Sequence, residues 1–262
     1  MNKEVQEKSL QAIFAWIGGK SKLREKISAF FPEQNVSIKE RQIQNYVEVF
    51  GGVAWMLLFK QRWATNEVYN DLNDELTNLF NIVRHHPNEF LKHFAFLPKS
   101  EKMFSYFLEN EQITDIQKAV KTYCKYRWSF SANGQNFSPK PQNKMSMYRK
   151  ILSLSKRFET VSIMNRSFEN IIERYNKENS FLYLDPPYYD CEYLYEVKFS
   201  KESHSLLQKL LQNFKGKFCL SYNDVPEIRE LYKNFKIVEL ETIYTCFSEV
   251  QKKQTELLIM NY

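Results

Sequence analysis

Residues that bind metals are few and scattered in this 262-residue chain. The four cysteines, Cys124, Cys191, Cys219 and Cys246, lie far apart with no paired ligand spacing, which argues against a zinc framework and reads as ordinary reduced thiols. Of the four histidines, His85 and His86 are adjacent while His93 and His204 stand alone, so no bound metal is expected. Long hydrophobic runs are absent too. None approaches the roughly 18 residues of a membrane span, and the opening MNKEVQEKSLQ lacks the apolar region of a secretory leader. The expectation is a soluble cytoplasmic protein with no membrane partner. One missing glycine removes a further class. AWIGGKSKL carries Gly18-Gly19-Lys20-Ser21, but a phosphate-cradling G-x-x-x-x-G-K-[ST] loop needs glycine where Phe14 stands, which argues against an ATPase.

What is present is a normal globular composition, 43% apolar, with a net charge of +6 that is unevenly spread. Residues 116 to 166 hold eleven Lys or Arg against one acid, Glu159, so the rest of the chain is net acidic. A solvated basic face is the plain reading of such a segment. It is also the electrostatic footprint of a nucleic-acid binder.

Short apolar runs alternate with helical periodicities. Tyr46–Phe50, Glu67–Tyr69, Val161–Met164 and Phe181–Leu184 read as strands, followed by Phe218–Ser221, Ile237–Leu240 and Glu256–Met260. Between them Val53–Gln61 reads as a helix directly after Gly51-Gly52. Leu76, Leu79, Phe80 and Val83 recur on one helical face, and Ser167 is placed to cap a helix over Phe168–Tyr175. Further helices are expected around Ser203–Asn213 and after Pro226. This alternation predicts an α/β fold with a largely parallel, doubly wound sheet. Residues 88–158 break the rhythm and hold most of the basic segment. Their aromatic content, Tyr123, Tyr126, Trp128, Phe130 and Phe137, is too high for a linker, so they are expected to form an inserted subdomain. The flanking parts, 1–87 and 159–262, then form the main domain.

Two strand tips carry candidate chemistry. Phe50-Gly51-Gly52, with Asp71 about twenty residues on, fits a nucleotide-binding turn and its ribose-binding acid, although a tight turn and a helix-capping acid is the plain alternative. FLYLDPPYYD, residues 181–190, ends an apolar strand in an acid, two prolines and two tyrosines. Proline offers no N–H, so Asp185 and the adjacent carbonyls form an acceptor-only cluster suited to an amino group. Accepting both protons of an exocyclic base amine favours the pyramidal nitrogen that can attack an electrophile. Tyr188 offers a stacking surface for the base.

AWIGGK, EVFGG, NDLNDEL and LDPPY, in that order, resemble the Dam-like (D12 class) DNA adenine-N6 methyltransferases across nearly the whole chain. The resemblance implies a Rossmann-like, doubly wound methyltransferase sheet with an inserted, mainly helical basic subdomain. It also implies S-adenosylmethionine as cofactor and a prokaryotic or phage-encoded enzyme, either solitary or with a cognate restriction enzyme as functional partner. Residue by residue it assigns Trp16, Lys20, Glu48, Phe50, Gly52, Asp71, Phe168 and Asp185 to the cofactor, and Asp185, Pro186 and Tyr188 to catalysis. Two departures are evident. Ala54 replaces a glycine of the F-x-G-x-G loop, adding a methyl where backbone and cofactor are expected to approach. Ser167 stands where an acid commonly contacts the cofactor's adenine amine.

The expected reaction is methyl transfer to N6 of adenine in double-stranded DNA after the base is flipped out of the stack. Lys121, Lys125, Arg127, Lys140 and Lys144 are the candidate phosphate contacts, with Asn133, Gln135 and Asn136 facing base edges. Cytosine N4 makes the same chemical demands and is the nearest alternative. A non-catalytic DNA-binding relative and a glutamine-amide methyltransferase are the readings from other classes.

Overall fold

The computed structural model describes residues 9–16, 18–33, 35–194, 199–244 and 252–262. The stretch 1–8 that bears on a leader, and Cys246, lie outside them. Among the described residues seven strands form one sheet: β1 (Asn45–Glu48), β2 (Asn66–Asn70), β3 (Val161–Met164), β4 (Ser180–Leu184), β5 (Lys217–Asn223), β6 (Lys236–Tyr244) and β7 (Lys252–Met260). Their order is β3-β2-β1-β4-β5-β7-β6. The first five run parallel, and β7 lies antiparallel between β5 and β6. The antiparallel course of β7 brings its beginning, not its end, to the edge where the parallel strands finish. Asn223 at the end of β5 is paired with Glu256.

Strand side chains alternate between two cores, as a period of two requires. Tyr46, Tyr69, Phe181, Tyr183, Leu258 and Met260 face one helical layer. Val47, Val68, Leu182, Leu184, Phe218 and Leu220 face the other, made by α7 (Phe168–Arg174), α8 (Lys201–Gln212) and α9 (Pro226–Leu231). The first layer holds α1 (Arg24–Ser28), α2 (Asp74–His85), α3 (Pro87–Ala95), α4 (Glu101–Glu109), α5 (Asp115–Arg127) and α6 (Lys144–Phe158). The protein is therefore a mixed α/β fold with a central sheet covered on both faces. Leu76, Leu79, Phe80 and Val83 of α2 are all buried, as their spacing predicts, and Ser167 caps α7 by accepting the Asn170 N–H.

The segment 88–158 shares the main core instead of building its own. Phe90, Phe94, Tyr123 and Trp128 belong to the same cluster as Phe14, Tyr69 and Leu79, and Phe158 stacks on Phe80 at 4.9 Å between ring centres. One of its cations is internal. Arg157 is buried and pairs with Glu67 of β2 at 2.7 Å, so the basic count of 116–166 overstates the charge presented to solvent.

One expected helix is absent. Val53–Gln61 is a run of turns, with a helical bond from Leu58 N–H to Ala54 C=O but no continuous ladder. Side chains have taken the backbone groups a ladder would use. The Leu57 N–H donates to Glu48, the Leu57 carbonyl accepts from Arg157, and the Met56 carbonyl accepts from the Trp63 indole, each at 2.8 Å.

Candidate active site

Strand order reverses at β1, which sits between β2 and β4, and ligands of open parallel sheets bind at the strand ends beside such a point. A cavity of about 450 Å3 opens there. All eight residues that the sequence assigned to a cofactor line it, although they come from the N-terminal segment, β1, the turn after β2, the start of α7 and the tip of β4.

The glycine loop is tight because protein presses on it. A Cβ on Gly51 would fall 2.3 Å from the Tyr69 ring, and one on Gly52, whose φ is +49°, would fall 3.2 Å from the Trp16 indole nitrogen. Asp71 fastens the same loop from β2. Its two carboxylate oxygens accept the Gly52 N–H at 2.7 Å and the Asn73 N–H at 2.8 Å. Burial raises the Asp71 pKa, although these amides oppose the rise. Ala54, the substituted glycine, has φ +61° and is fully buried in the core. Ala54 is not among the residues that line the cavity. The departure acts through backbone conformation, in a region costly to residues with a Cβ.

At one end of the cavity stands a cluster of charges. Asp185 receives the Lys20 ammonium at 2.7 Å. Lys20 is almost fully buried, also donates to the Gly18 carbonyl at 2.8 Å, and lies 4.8 Å from the centre of the Tyr188 ring. Burial pushes Asp185 up to about 6, against the pull of Lys20. For Lys20 burial acts downward, but Asp185 and then Glu256 outweigh it and leave the ammonium above its usual pKa. Glu48, buried beneath the glycine loop, is pushed up to about 8 by burial despite amide bonds from Leu57 and Met56.

The other end is aromatic. Phe168 is buried with its ring 5.8 Å from Phe50 and 5.6 Å from Phe199. Ser167 and Glu169 flank Phe168 on the cavity wall, and Glu169 Oε2 is buried without a partner. Trp55 Nε1 and Tyr183 OH, also buried and unpartnered, belong to other residues of the same wall. Phe199, Glu169, Trp55 and Tyr183 carry no motif. Only the run of four apolar residues before Asp185 marks Tyr183 as near the site.

Of the catalytic candidates, Asp185 lines the cavity while Pro186 and Tyr188 pack just behind it. The Tyr188 hydroxyl lies 3.4 Å from Ser221 Oγ. Tyr189 and Asp190 close the loop. The Tyr189 backbone is clipped to Asn223 by bonds of 3.1 and 3.0 Å, and Asp190, with φ +60°, pairs with Lys201 at 3.0 Å. His204 is a buried anchor for the next turn, bonded to Tyr222 and to Glu192 at 2.8 Å. Burial lowers its pKa.

The nucleic-acid candidates divide. Asn133 and Gln135 sit on the cavity wall, in a loop held by left-handed backbone at Ser131 and Ala132. The Asn133 side chain accepts the Gln135 and Asn136 N–H groups, which rigidifies the loop. Lys125 pairs with Glu75 at 3.2 Å, Lys121 donates to the Asn110 carbonyl and Lys144 to that of Ala95. Arg127 and Lys140 are exposed. Tyr126 meets Trp16 at 4.8 Å and so joins this segment to the glycine loop.

Comparison with known proteins bears on this geometry. The model of the D12 class N6 adenine-specific DNA methyltransferase family matches residues 16–246. The chain is 23% identical over 246 residues to the type II methyltransferase M.CviBI of Paramecium bursaria Chlorella virus NC1A, covering 90% of this chain and 91% of the other. It is 24% identical over 287 residues to M1.LlaDCHI of Lactococcus lactis subsp. cremoris, with coverage of 97% and 96%. It is 25% identical over 289 residues to M.MjaIII of Methanocaldococcus jannaschii, with coverage of 94% and 97%. Both are also described as type II methyltransferases.

Proposed function

The chain belongs to the D12 class of N6-adenine-specific DNA methyltransferases, and from that premise we propose that it transfers a methyl group from S-adenosylmethionine to N6 of adenine in double-stranded DNA. The observation that carries the proposal is one cavity with a carboxylate–ammonium cluster at one end and an aromatic slot at the other. Its wall fits a ligand that is both polar and flat. Three buried polar atoms there, on Trp55, Glu169 and Tyr183, have no protein partner, and a buried polar group without a partner costs free energy. Phe168, its ring packed on Phe50, would lie against the cofactor's base and Asp71 beside its ribose, while Trp16, Gly52 and Lys20 lie along the rest of the wall. Glu169 supplies a carboxylate one residue beyond Phe168, where Ser167 lacks one.

When bound, the cofactor supplies an electrophilic methyl group. The protein's part is to hold the target amine in line and draw on its protons. Asp185 sits at the strand tip as an acceptor, with Pro186 and Pro187 presenting no competing N–H. The Lys20 ammonium 2.7 Å away favours its ionised form, which can accept from the amine. The same reading assigns DNA contact to the 88–158 subdomain, with Asn133 and Gln135 at the cavity wall beside a flipped base. A solitary enzyme and one paired with a restriction enzyme would share this site. Digestion to nucleosides and mass analysis of DNA incubated with protein and S-adenosylmethionine tests the proposal. N6-methyl-2′-deoxyadenosine is the expected product, and N4-methyl-2′-deoxycytidine or unmodified DNA would overturn it.

A further inference from the structure

Behind Asp185 lies a ring of side chains that no motif marks. Ser221 is fully buried on β5 and donates its hydroxyl proton to Glu256 of β7, itself 1% exposed. Glu256 lies 3.7 Å from the Lys20 ammonium, which lies 2.7 Å from Asp185. Tyr188 hydrogen-bonds Asp185 and approaches Ser221 at 3.4 Å, closing the circuit. Four separate pieces of chain meet here because β7 runs antiparallel and starts at the edge where β4 and β5 end.

Resting on the methyltransferase reading above, we infer that Ser221 and Glu256 are positioning residues that control how open the Asp185 carboxylate is to the substrate amine. Tyr188 has one hydroxyl proton and two acceptors within reach, Asp185 and Ser221. Ser221 gives its own proton to Glu256, so its oxygen faces Tyr188 as an acceptor. When Tyr188 turns to Ser221, a lone pair of Asp185 is freed for the amine. When Tyr188 turns back, Asp185 is capped. Glu256 also draws on Lys20, and as a second anion it opposes ionisation of Asp185. A buried carboxylate beside a buried ammonium and a second carboxylate is costly to assemble, and a purely structural role would be served as well by apolar side chains.

Several titratable groups face Asp185: Lys20 from the N-terminal segment, Glu48 from β1, Tyr183 from β4, Tyr188 of its own loop, Tyr222 from β5 and Glu256 from β7. Cys219 of β5 faces Glu256. Removing one charge at a time therefore gives shifts of known sign. Glu256→Gln removes an anion and should move the acid limb of the kcat profile down by on the order of one pH unit. Ser221→Ala leaves Tyr188 with Asp185 as its acceptor and should lower kcat about tenfold, with S-adenosylmethionine affinity changed less than about twofold. The decisive measurement uses protein labelled with 13C at aspartate carboxyls, in which the Asp185 resonance is assigned by its loss in Asp185→Asn. A lowered titration midpoint in folded Glu256→Gln supports the inference, whether or not the wild type methylates DNA. An unmoved midpoint overturns it, as does a Ser221→Ala enzyme with kcat within twofold of an active wild type. Absence of methylation by the wild type counts against the methyltransferase reading instead. Should Glu256→Gln fail to fold, the same titration on Ser221→Ala decides, since Tyr188 held on Asp185 lowers the midpoint and a structural serine leaves it in place.

Discussion

At the carboxyl edge of the sheet, charged side chains face one another. Across the 88–158 segment most face water or a backbone carbonyl. The buried Lys20 ammonium lies 2.7 Å from Asp185 and 3.7 Å from Glu256, whereas Lys121 and Lys144 lean on the carbonyls of Asn110 and Ala95 at the surface. The difference governs how each region responds to change. Buried charges are interdependent, because losing one leaves its partner unpaired in a poor dielectric. Surface cations act one by one, each worth little and each screened by salt.

The sharpest test of the comparison is Asp185→Ala. It should keep the fold yet reduce methyl transfer by about a thousandfold or more, since the group proposed to accept from the amine is gone. Unfolding transitions and single-turnover assays together check it, and near-normal turnover would remove Asp185 from catalysis. Arg157→Ala probes the same contrast within the basic segment. Arg157 is a cation of the basic segment that behaves like the edge, buried and bidentate on Glu67 at 2.7 and 2.8 Å. Its loss should destabilise by about 3 kcal/mol, read from denaturant midpoints. Exposed Lys140→Ala should cost less than about 0.5 kcal/mol.

Glu48 gives the comparison a pH dependence. Its folded pKa is raised to about 8 from 4.5, so the folded state binds the proton more tightly than the unfolded chain. The stability this contributes is fully present below pH 4.5 and is lost as pH rises through about 8. Between pH 7 and 9 the wild type should therefore lose about 1 kcal/mol that Glu48→Gln keeps. Parallel slopes for the two proteins would show that Glu48 is already ionised.

What the sequence could disclose follows the range of each interaction. FLYLDPPYYD signals its site locally, because a strand tip, two prolines and an acid are contiguous. The strands of the sheet are legible for the same reason. Glu256 is not, since TELLIM reads as a buried strand and only the antiparallel placement of β7 carries its acid to Asp185. Val53–Gln61 has the composition of a helix, yet Glu48, Trp63 and Arg157, the last about 100 residues away, claim its backbone groups. The basic count of 116–166 is visible, but neither the burial of Arg157 nor the pairing of Lys125 with Glu75 can be read from it.

The surface region makes its own prediction. Replacing Lys121, Arg127, Lys140 and Lys144 together by alanine should flatten the salt dependence of DNA binding. The slope should fall by about 0.9 for each phosphate that is no longer neutralised, with no change in the pH profile of methyl transfer. An unchanged slope would move the DNA interface elsewhere. A shifted pH profile would mean that the two regions are electrically coupled.

The smallest effect belongs to Ala54, in the buried turn after Gly52. Its φ of +61° costs an alanine about 1 kcal/mol relative to glycine. Its buried methyl returns about 0.8 kcal/mol, and glycine would add backbone freedom to the unfolded chain. These terms nearly cancel, so Ala54→Gly should change stability by less than about 1 kcal/mol. Because the methyl points into the core and not the cavity, S-adenosylmethionine affinity should change less than about threefold by calorimetry, below about 0.7 kcal/mol. A tenfold gain would mean that the methyl obstructs the ligand after all. A small effect would show that this loop tolerates alanine because Asp71 and Trp16, and not glycine alone, hold its shape.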